Sequence, residues 1–167
     1  MRSIIIFPEM YNLDEIQKVR SSYDPLAKNI SPHISLVFPF ESKTSDELLI
    51  KQIKPIIKTV KSFAITFDKF GHDDKGYFWL QPAYGTDKLT KLHDELYKNE
   101  LLHPFLRADI PYMPHITLGK VDPAQQTRII SNLVIRKLSF STFIDTVSIE
   151  RILPNNDSDE FEKILLP

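Results

Sequence analysis

One pentapeptide occurs twice in this chain, as Pro-His-Ile-Ser-Leu at residues 32–36 and as Pro-His-Ile-Thr-Leu at residues 114–118. The copies lie about half of the 167-residue chain apart. β-Branched and aromatic residues between prolines, as in the stretch 31–40, predict a strand. A helical pattern precedes each copy and another follows it. The chain therefore has the organisation of two related halves, although little other residue identity joins them.

The remaining elements follow from hydrophobic periodicity. The apolar run 3–7 predicts a buried strand that ends at Pro8. Two helices are predicted over about 12–27 and about 86–101, and two more begin at Thr44 and near Asp122. Further strands are predicted over 63–70, 77–81, 115–120, 146–153 and 161–166. We expect a capping box between Thr44 and Glu47, and a kink or restart at Pro55. Most strand links are hairpins or short helices, so the pattern predicts an α+β fold with mainly antiparallel sheets.

Composition and charge exclude several classes of protein. With 42% hydrophobic and 26% charged residues the chain has an ordinary globular composition. It has no cysteine, which excludes disulfides, thiolate–zinc sites and cysteine nucleophiles. The net charge of −1 argues against coating of long nucleic acid, although it permits binding of a single phosphate. No apolar stretch is long enough for a membrane span or a signal peptide, so we expect a cytoplasmic protein. We also expect it to be a monomer.

The two motifs carry the chemistry. Strand side chains alternate between faces, so His33 shares a face with Ser35, and His115 shares one with Thr117. Imidazole, with a pKa near 6.5, serves as acid or base at neutral pH. If the two polar faces meet across a cleft, one histidine can deprotonate an attacking hydroxyl or water while the other protonates the departing oxygen. The hydroxyls of Ser35 and Thr117 can then donate to the non-bridging phosphate oxygens.

These motifs resemble those of the 2H phosphoesterase superfamily, which includes 2′-5′ RNA ligase-like proteins and cyclic nucleotide phosphodiesterases. The family is defined by two H-x-[ST]-hydrophobic motifs, matched here at 33–36 and 115–118. Serine at Ser35, where threonine is commoner, keeps the hydroxyl. The resemblance covers essentially the whole chain, and the segment 23–40 is especially similar to uncharacterised bacterial members.

The resemblance implies a bilobal fold in which residues 1–167 form one domain of two pseudo-symmetric lobes, with helices outside and both motifs lining a central cleft. It implies catalytic roles for His33 and His115, and phosphate binding by Ser35 and Thr117. It also implies metal-independent action, without a cofactor, on 2′-5′ linkages or on 2′,3′- or 1″,2″-cyclic phosphates. The expected partner is thus a small nucleotide or an RNA end.

Other interpretations remain open on sequence grounds. Both histidines could be structural, or the same cleft could bind a nucleotide or RNA end without turnover. An unrelated metallohydrolase is a third possibility, although neither motif contains the Asp, Glu or Cys that would complete a zinc site. We interpret His93 as a helix-flank residue, since it lacks the second histidine of a zinc-binding helix. Strand parity places Lys120 away from His115 unless the strand bends after Gly119.

Overall fold

The computed structural model describes residues 1–167 as eight strands and four α-helices. In chain order the elements are β1 Arg2–Ile6, α1 Leu13–Tyr23, β2 Ile34–Phe40, α2 Asp46–Ile57, β3 Phe63–His72, β4 Tyr77–Tyr84, α3 Thr86–Tyr97, β5 Ile116–Lys120, α4 Pro123–Ile135, β6 Phe140–Ile144, β7 Thr146–Ile152 and β8 Ser158–Leu165, with a short 3₁₀ turn at His103–Phe105 before β5. The strands form two antiparallel four-stranded sheets, in the orders β2-β1-β7-β8 and β5-β4-β3-β6. The prediction of an α+β fold with antiparallel sheets is confirmed.

The two sheets repeat one arrangement. In each, the strand that follows a motif histidine lies at the edge and pairs with the strand that precedes it in the same half, β2 with β1 and β5 with β4. Each helix that connects these paired strands packs against the other sheet. Helix α1, which links β1 to β2, contacts β5 of the other sheet, whereas α3, which links β4 to β5, contacts β2. Each motif strand is therefore supported by the helix that belongs to the other half of the chain.

The helix-facing sides of the sheets contribute to one hydrophobic core of 33 buried residues. Ile34 and Leu36 of β2, and Ile116 and Leu118 of β5, are fully buried in it. The residues between them, Ser35 among them, are only partly buried. The motif strands thus show the predicted alternation of buried and partly buried side chains. As a result, the polar side chains of each motif point away from the core.

Helix α2 has a different N-cap from the one predicted, and of the kink or restart expected at Pro55 the restart is wrong. Its N-cap is Ser45, whose hydroxyl accepts from the backbone N–H of Leu48, so the expected capping box from Thr44 to Glu47 is wrong. The hydroxyl of Thr44 instead accepts a hydrogen bond from that of Ser42. The helix neither stops nor restarts at Pro55 but continues to Ile57. A proline this close to a helix end loses one internal hydrogen bond and disturbs few following turns.

Two further observations complete the fold. Strand β6, Phe140–Ile144, was not predicted, although it alternates buried and exposed residues and pairs with β3 along its whole length. Its five residues are too short a run to separate from a loop by periodicity alone. No helix is both long enough and apolar enough to cross a bilayer.

Candidate active site

Both motif histidines lie at the entry to their strands and border the same small cavity. His33 immediately precedes β2 and His115 immediately precedes β5. The cavity is lined by the four residues that the sequence analysis selected together with two apolar neighbours, and these six are His33, Ser35, Phe38, Met113, His115 and Thr117. The pseudo-symmetric pairing of the lobes thus brings together residues that are far apart in the sequence.

The backbone fixes the orientation of both imidazole rings. The Nδ1 atom of His33 lies 2.9 Å from the carbonyl oxygen of Ser31. The Nδ1 atom of His115 lies 2.7 Å from the carbonyl oxygen of Met113. A carbonyl can only accept, so each Nδ1 carries a hydrogen and donates it. The neutral rings therefore hold their lone pair on Nε2, which makes no hydrogen bond to the protein.

The surroundings favour the neutral form of both histidines. Burial lowers the pKa of His33 and of His115 below the ordinary value, because a charged imidazolium is poorly solvated there, while the carbonyl bonds oppose this in part. The proximity of His33 lowers the pKa of His115 further, whereas Glu150 acts to raise the pKa of His33. Since two positive charges would repel, the pair favours carrying at most one extra proton.

Trp79 is a neighbour of the site that the sequence analysis missed. Its ring lies 4.9 Å from that of His115, tilted by 36°. The indole Nε1–H donates to the side-chain oxygen of Gln81 at 3.0 Å. Directly across on β3 lies Gly71, where an added Cβ would be only 2.3 Å from the indole nitrogen. A glycine that pairs with a tryptophan on an adjacent strand is the signal that could have revealed this packing.

The location of Lys120 corrects the strand-parity argument. Thr117 pairs with Trp79 and Lys120 pairs with Tyr77, so β5 has one more residue than β4 between these pairs. Because paired residues share a face, this bulge returns Lys120 to the face of Thr117. Its ammonium lies over the Tyr77 ring, 4.8 Å from the ring centre. The bulge occurs just before Gly119.

His93 also differs from its interpretation as a helix-flank residue. Its side chain is 5% exposed, and its Nδ1 lies 2.8 Å from the carbonyl oxygen of Leu36 in the first motif. Burial lowers its pKa. Among the aromatic residues near the motifs, Phe38 borders the cavity and Phe40 is in the core, whereas Tyr84 at the end of β4 is exposed.

A wider groove lies near His33, because Ser31 and Pro32 border it. It contains neither motif histidine and runs between the loop after β1 and strands β7 and β8, where Phe7, Ser148 and Glu160 border it. The Phe7 ring meets that of His33 edge to face, with 6.2 Å between the ring centres. The groove is much larger than the cavity. Nowhere in the fold do three or more His, Asp or Glu residues cluster closely enough to hold a metal ion.

Comparison with known proteins agrees with this architecture. Residues 8–151 match the family model of the 2′-5′ RNA ligase superfamily. The chain belongs to this superfamily. Two relatives bear the name "Putative phosphoesterase". One, from Bacillus cytotoxicus, is 27% identical over 148 residues, covering 85% of this chain and 83% of the relative. The other, from Bacillus licheniformis, is 25% identical over 170 residues, covering 98% and 96%.

Solved structures show the same fold at low sequence identity. Escherichia coli LigT in complex with 3′-AMP superposes with a TM-score of 0.62 at 16% identity, covering 99% of this chain and 97% of LigT. A protein of Thermus thermophilus superposes with a TM-score of 0.65 at 13% identity, with the same coverage. The family match and the two relatives make this chain a 2H phosphoesterase, and the solved structures show that it shares their fold.

Proposed function

We propose that this phosphoesterase acts on RNA-type phosphodiesters, namely 2′-5′ linkages or 2′,3′- or 1″,2″-cyclic phosphates, by metal-independent two-histidine acid–base catalysis. The observation that carries the proposal is the shared cavity, which has an imidazole and a hydroxyl from each half of the chain on its walls. We further propose that both lobes form one domain, because neither half supplies more than one of the two histidines.

The tautomers define the proton route. In both rings Nδ1 donates to a backbone carbonyl, so Nε2 is the nitrogen that can exchange a proton. A neutral Nε2 accepts the proton of the attacking water or ribose hydroxyl. The other histidine, protonated at Nε2, donates to the departing oxygen on the opposite side of phosphorus. The hydroxyls of Ser35 and Thr117 donate to the non-bridging oxygens, where charge develops in the transition state.

The substrate assignment to small nucleotides or RNA ends rests on size, charge and the relatives. The cavity between the histidines is much smaller than the groove near His33, so we assign the reacting phosphate to the cavity and an attached nucleoside to the groove. The net charge of −1 suits a ligand with few phosphates. Related LigT has been solved with 3′-AMP, ATP and NADP⁺. Action in RNA processing, a cytoplasmic location and a monomeric state stay predictions.

Turnover of a panel of diesters tests the proposal. The panel comprises 2′,3′-cyclic nucleotides, 2′-5′-linked dinucleotides, 3′-5′ controls and ADP-ribose 1″,2″-cyclic phosphate, each with a chelator present. We expect cleavage of at least one RNA-type member, and a loss of roughly 10²–10⁴-fold in kcat in His33→Ala and in His115→Ala. His72→Ala is the matched control, because His72 is exposed at the end of β3, outside the cavity.

Three outcomes would contradict the proposal. Activity that the chelator removes would indicate a metallohydrolase. Full activity in either histidine variant would remove that histidine from the mechanism. Tight nucleotide binding without turnover of any diester, weakened in both variants, would instead indicate a binding module that uses the same cleft.

A further inference from the structure

One side-chain hydrogen bond joins the segment that carries the second histidine to the strand of the first motif. The hydroxyl of Tyr112 donates to the carbonyl oxygen of Ser35 at 2.9 Å. Tyr112 lies three residues before His115, and Ser35 lies two residues after His33. This contact therefore connects the two motifs directly, across 77 residues of sequence.

The Tyr112 ring is itself held in place by His93 of α3. The two rings stack nearly parallel, with 3.8 Å between their centres and 10° between their planes. His93 is buried, and its Nδ1–H donates to the carbonyl oxygen of Leu36, next to the carbonyl that Tyr112 binds. Successive carbonyl groups of β2 thus receive one hydrogen bond each from this stacked pair. Burial raises the pKa of Tyr112, so its hydroxyl keeps the proton that it donates.

The segment on which Tyr112 lies has few other constraints. It connects the 3₁₀ turn to β5 without regular secondary structure, and several of its residues, Met113 among them, are exposed. The carbonyl of Met113 orients His115, so any shift of this segment moves the imidazole with it. Misplacement by about 1 Å can cost on the order of 100-fold in rate when reacting groups must align.

We propose that Tyr112 is a positioning residue that fixes the separation of His33 and His115 through its hydrogen bond to Ser35. The inference rests on the proposed two-histidine reaction for its kinetic consequence, but the geometric claim can be measured without turnover. Tyr112 does not border the cavity, so its effect belongs to alignment of the histidines rather than to contact with the substrate.

Tyr112→Phe tests the proposal because it removes the hydroxyl and keeps the ring stacked on His93. We expect kcat to fall by about tenfold or more, with KM within about twofold of the wild-type value. Tyr97→Phe is the matched control. The Tyr97 hydroxyl accepts from the backbone N–H of Phe38 on the same strand, yet Tyr97 lies on α3 and not on the segment that carries His115. We expect this variant to keep kcat within about twofold.

NMR titration of the two histidines, in both variants, separates this proposal from the proposed function. Tyr112→Phe should move the titration midpoints of His33 and His115 toward the ordinary value as water enters, whereas Tyr97→Phe should not. If the wild-type protein turns over no diester, the proposed function fails, and the midpoints alone decide the role of Tyr112. If the wild type is active, a folded Tyr112→Phe protein with unchanged kcat and midpoints overturns the positioning role. Equal losses in both variants also overturn it.

Discussion

At the scale of single residues, the carbonyl partners of the histidines decide their chemistry. Ser31 and Met113 each lie two residues before their histidine, so the chain entering each strand selects the tautomer of the ring that begins it. A histidine bound this way can exchange protons only at Nε2, the nitrogen without a protein partner. The same local geometry recurs in both lobes, so each ring presents Nε2 for either role, acid or base, in the proposed reaction.

The lowered pKa values predict the pH dependence of kcat/KM. The proposed reaction requires one neutral and one protonated histidine in the free enzyme, and in both the pKa is shifted below the ordinary value of 6.5. We therefore expect a bell-shaped profile whose maximum lies below about pH 6.5, with a decline at higher pH as the acid loses its proton. Initial rates at low substrate from pH 4.5 to 8.5 measure it. A maximum above pH 7.5 would show that burial does not control these groups.

Residues in the motifs were predictable from sequence, and their supporting neighbours were not. Duplication and strand alternation together selected His33 and His115. Trp79 had a weaker signal, the glycine opposite it, which can be used only once the strand pairs and their register are known. His93 was misinterpreted for the same reason, since a histidine on an amphipathic helix is exposed or buried according to where that helix packs. Such contacts are tertiary facts that periodicity within one segment does not contain.

At the scale of elements, the β5 bulge changes which residues face the site. Regular alternation would turn Lys120 away from Thr117, and the extra residue turns it back. Gly119 allows this strand to lie close to α1, because a Cβ at that position would be 2.3 Å from the Cβ of Tyr23. Bulges depend on the register between strands, so parity counted along one strand could not predict this one.

The bulge predicts a contribution of Lys120 to substrate binding. Lys120 is exposed on the face of Thr117, beyond the cavity, so its ammonium is available to a second phosphate of an RNA end bound in the proposed reaction. Lys120→Gln should raise KM for an oligonucleotide end by about two- to fivefold and leave kcat unchanged, with a smaller effect at high salt because such contacts are screened. Lys51→Gln, on the exposed side of α2, is the matched control. Equal KM values in the two variants would exclude the contact.

At the scale of the whole molecule, the two lobes are joined because a helix from each lobe packs against the sheet of the other. Helix α1 supports β5 and α3 supports β2, so the position of each motif depends on the other half of the chain. The single hydrophobic core runs through both lobes. A cleft between lobes that share a core is expected to keep its width, as alignment of an acid and a base on opposite sides of phosphorus requires. The repeated motif predicted that the chain has two related halves. That each helix packs against the sheet of the other half could be seen only in the structure.

The same burial that adjusts the site should make the whole fold sensitive to acid. Burial lowers the pKa of His33, His93 and His115 in the folded protein. Between the folded and unfolded pKa values the unfolded chain binds more protons, so the free energy of unfolding is greatest above about pH 6.5 and falls as the pH decreases below it. Each histidine contributes a slope of at most about 1.4 kcal/mol per pH unit.

Urea unfolding at pH 7.5, 6.5, 5.5 and 5.0 measures this loss before most carboxylates titrate. We expect the wild-type free energy of unfolding to decrease across the lower three values. The double variant His33→Ala and His115→Ala should show a shallower decrease, since it lacks two of the three histidines whose pKa burial lowers in the folded protein. A wild-type stability that is constant from pH 7.5 to 5.0 would mean that the folded protein accepts these protons without cost. The lowered pKa values would then be wrong. The conclusion that both imidazoles are neutral at pH 7, which depends on them, would be wrong as well.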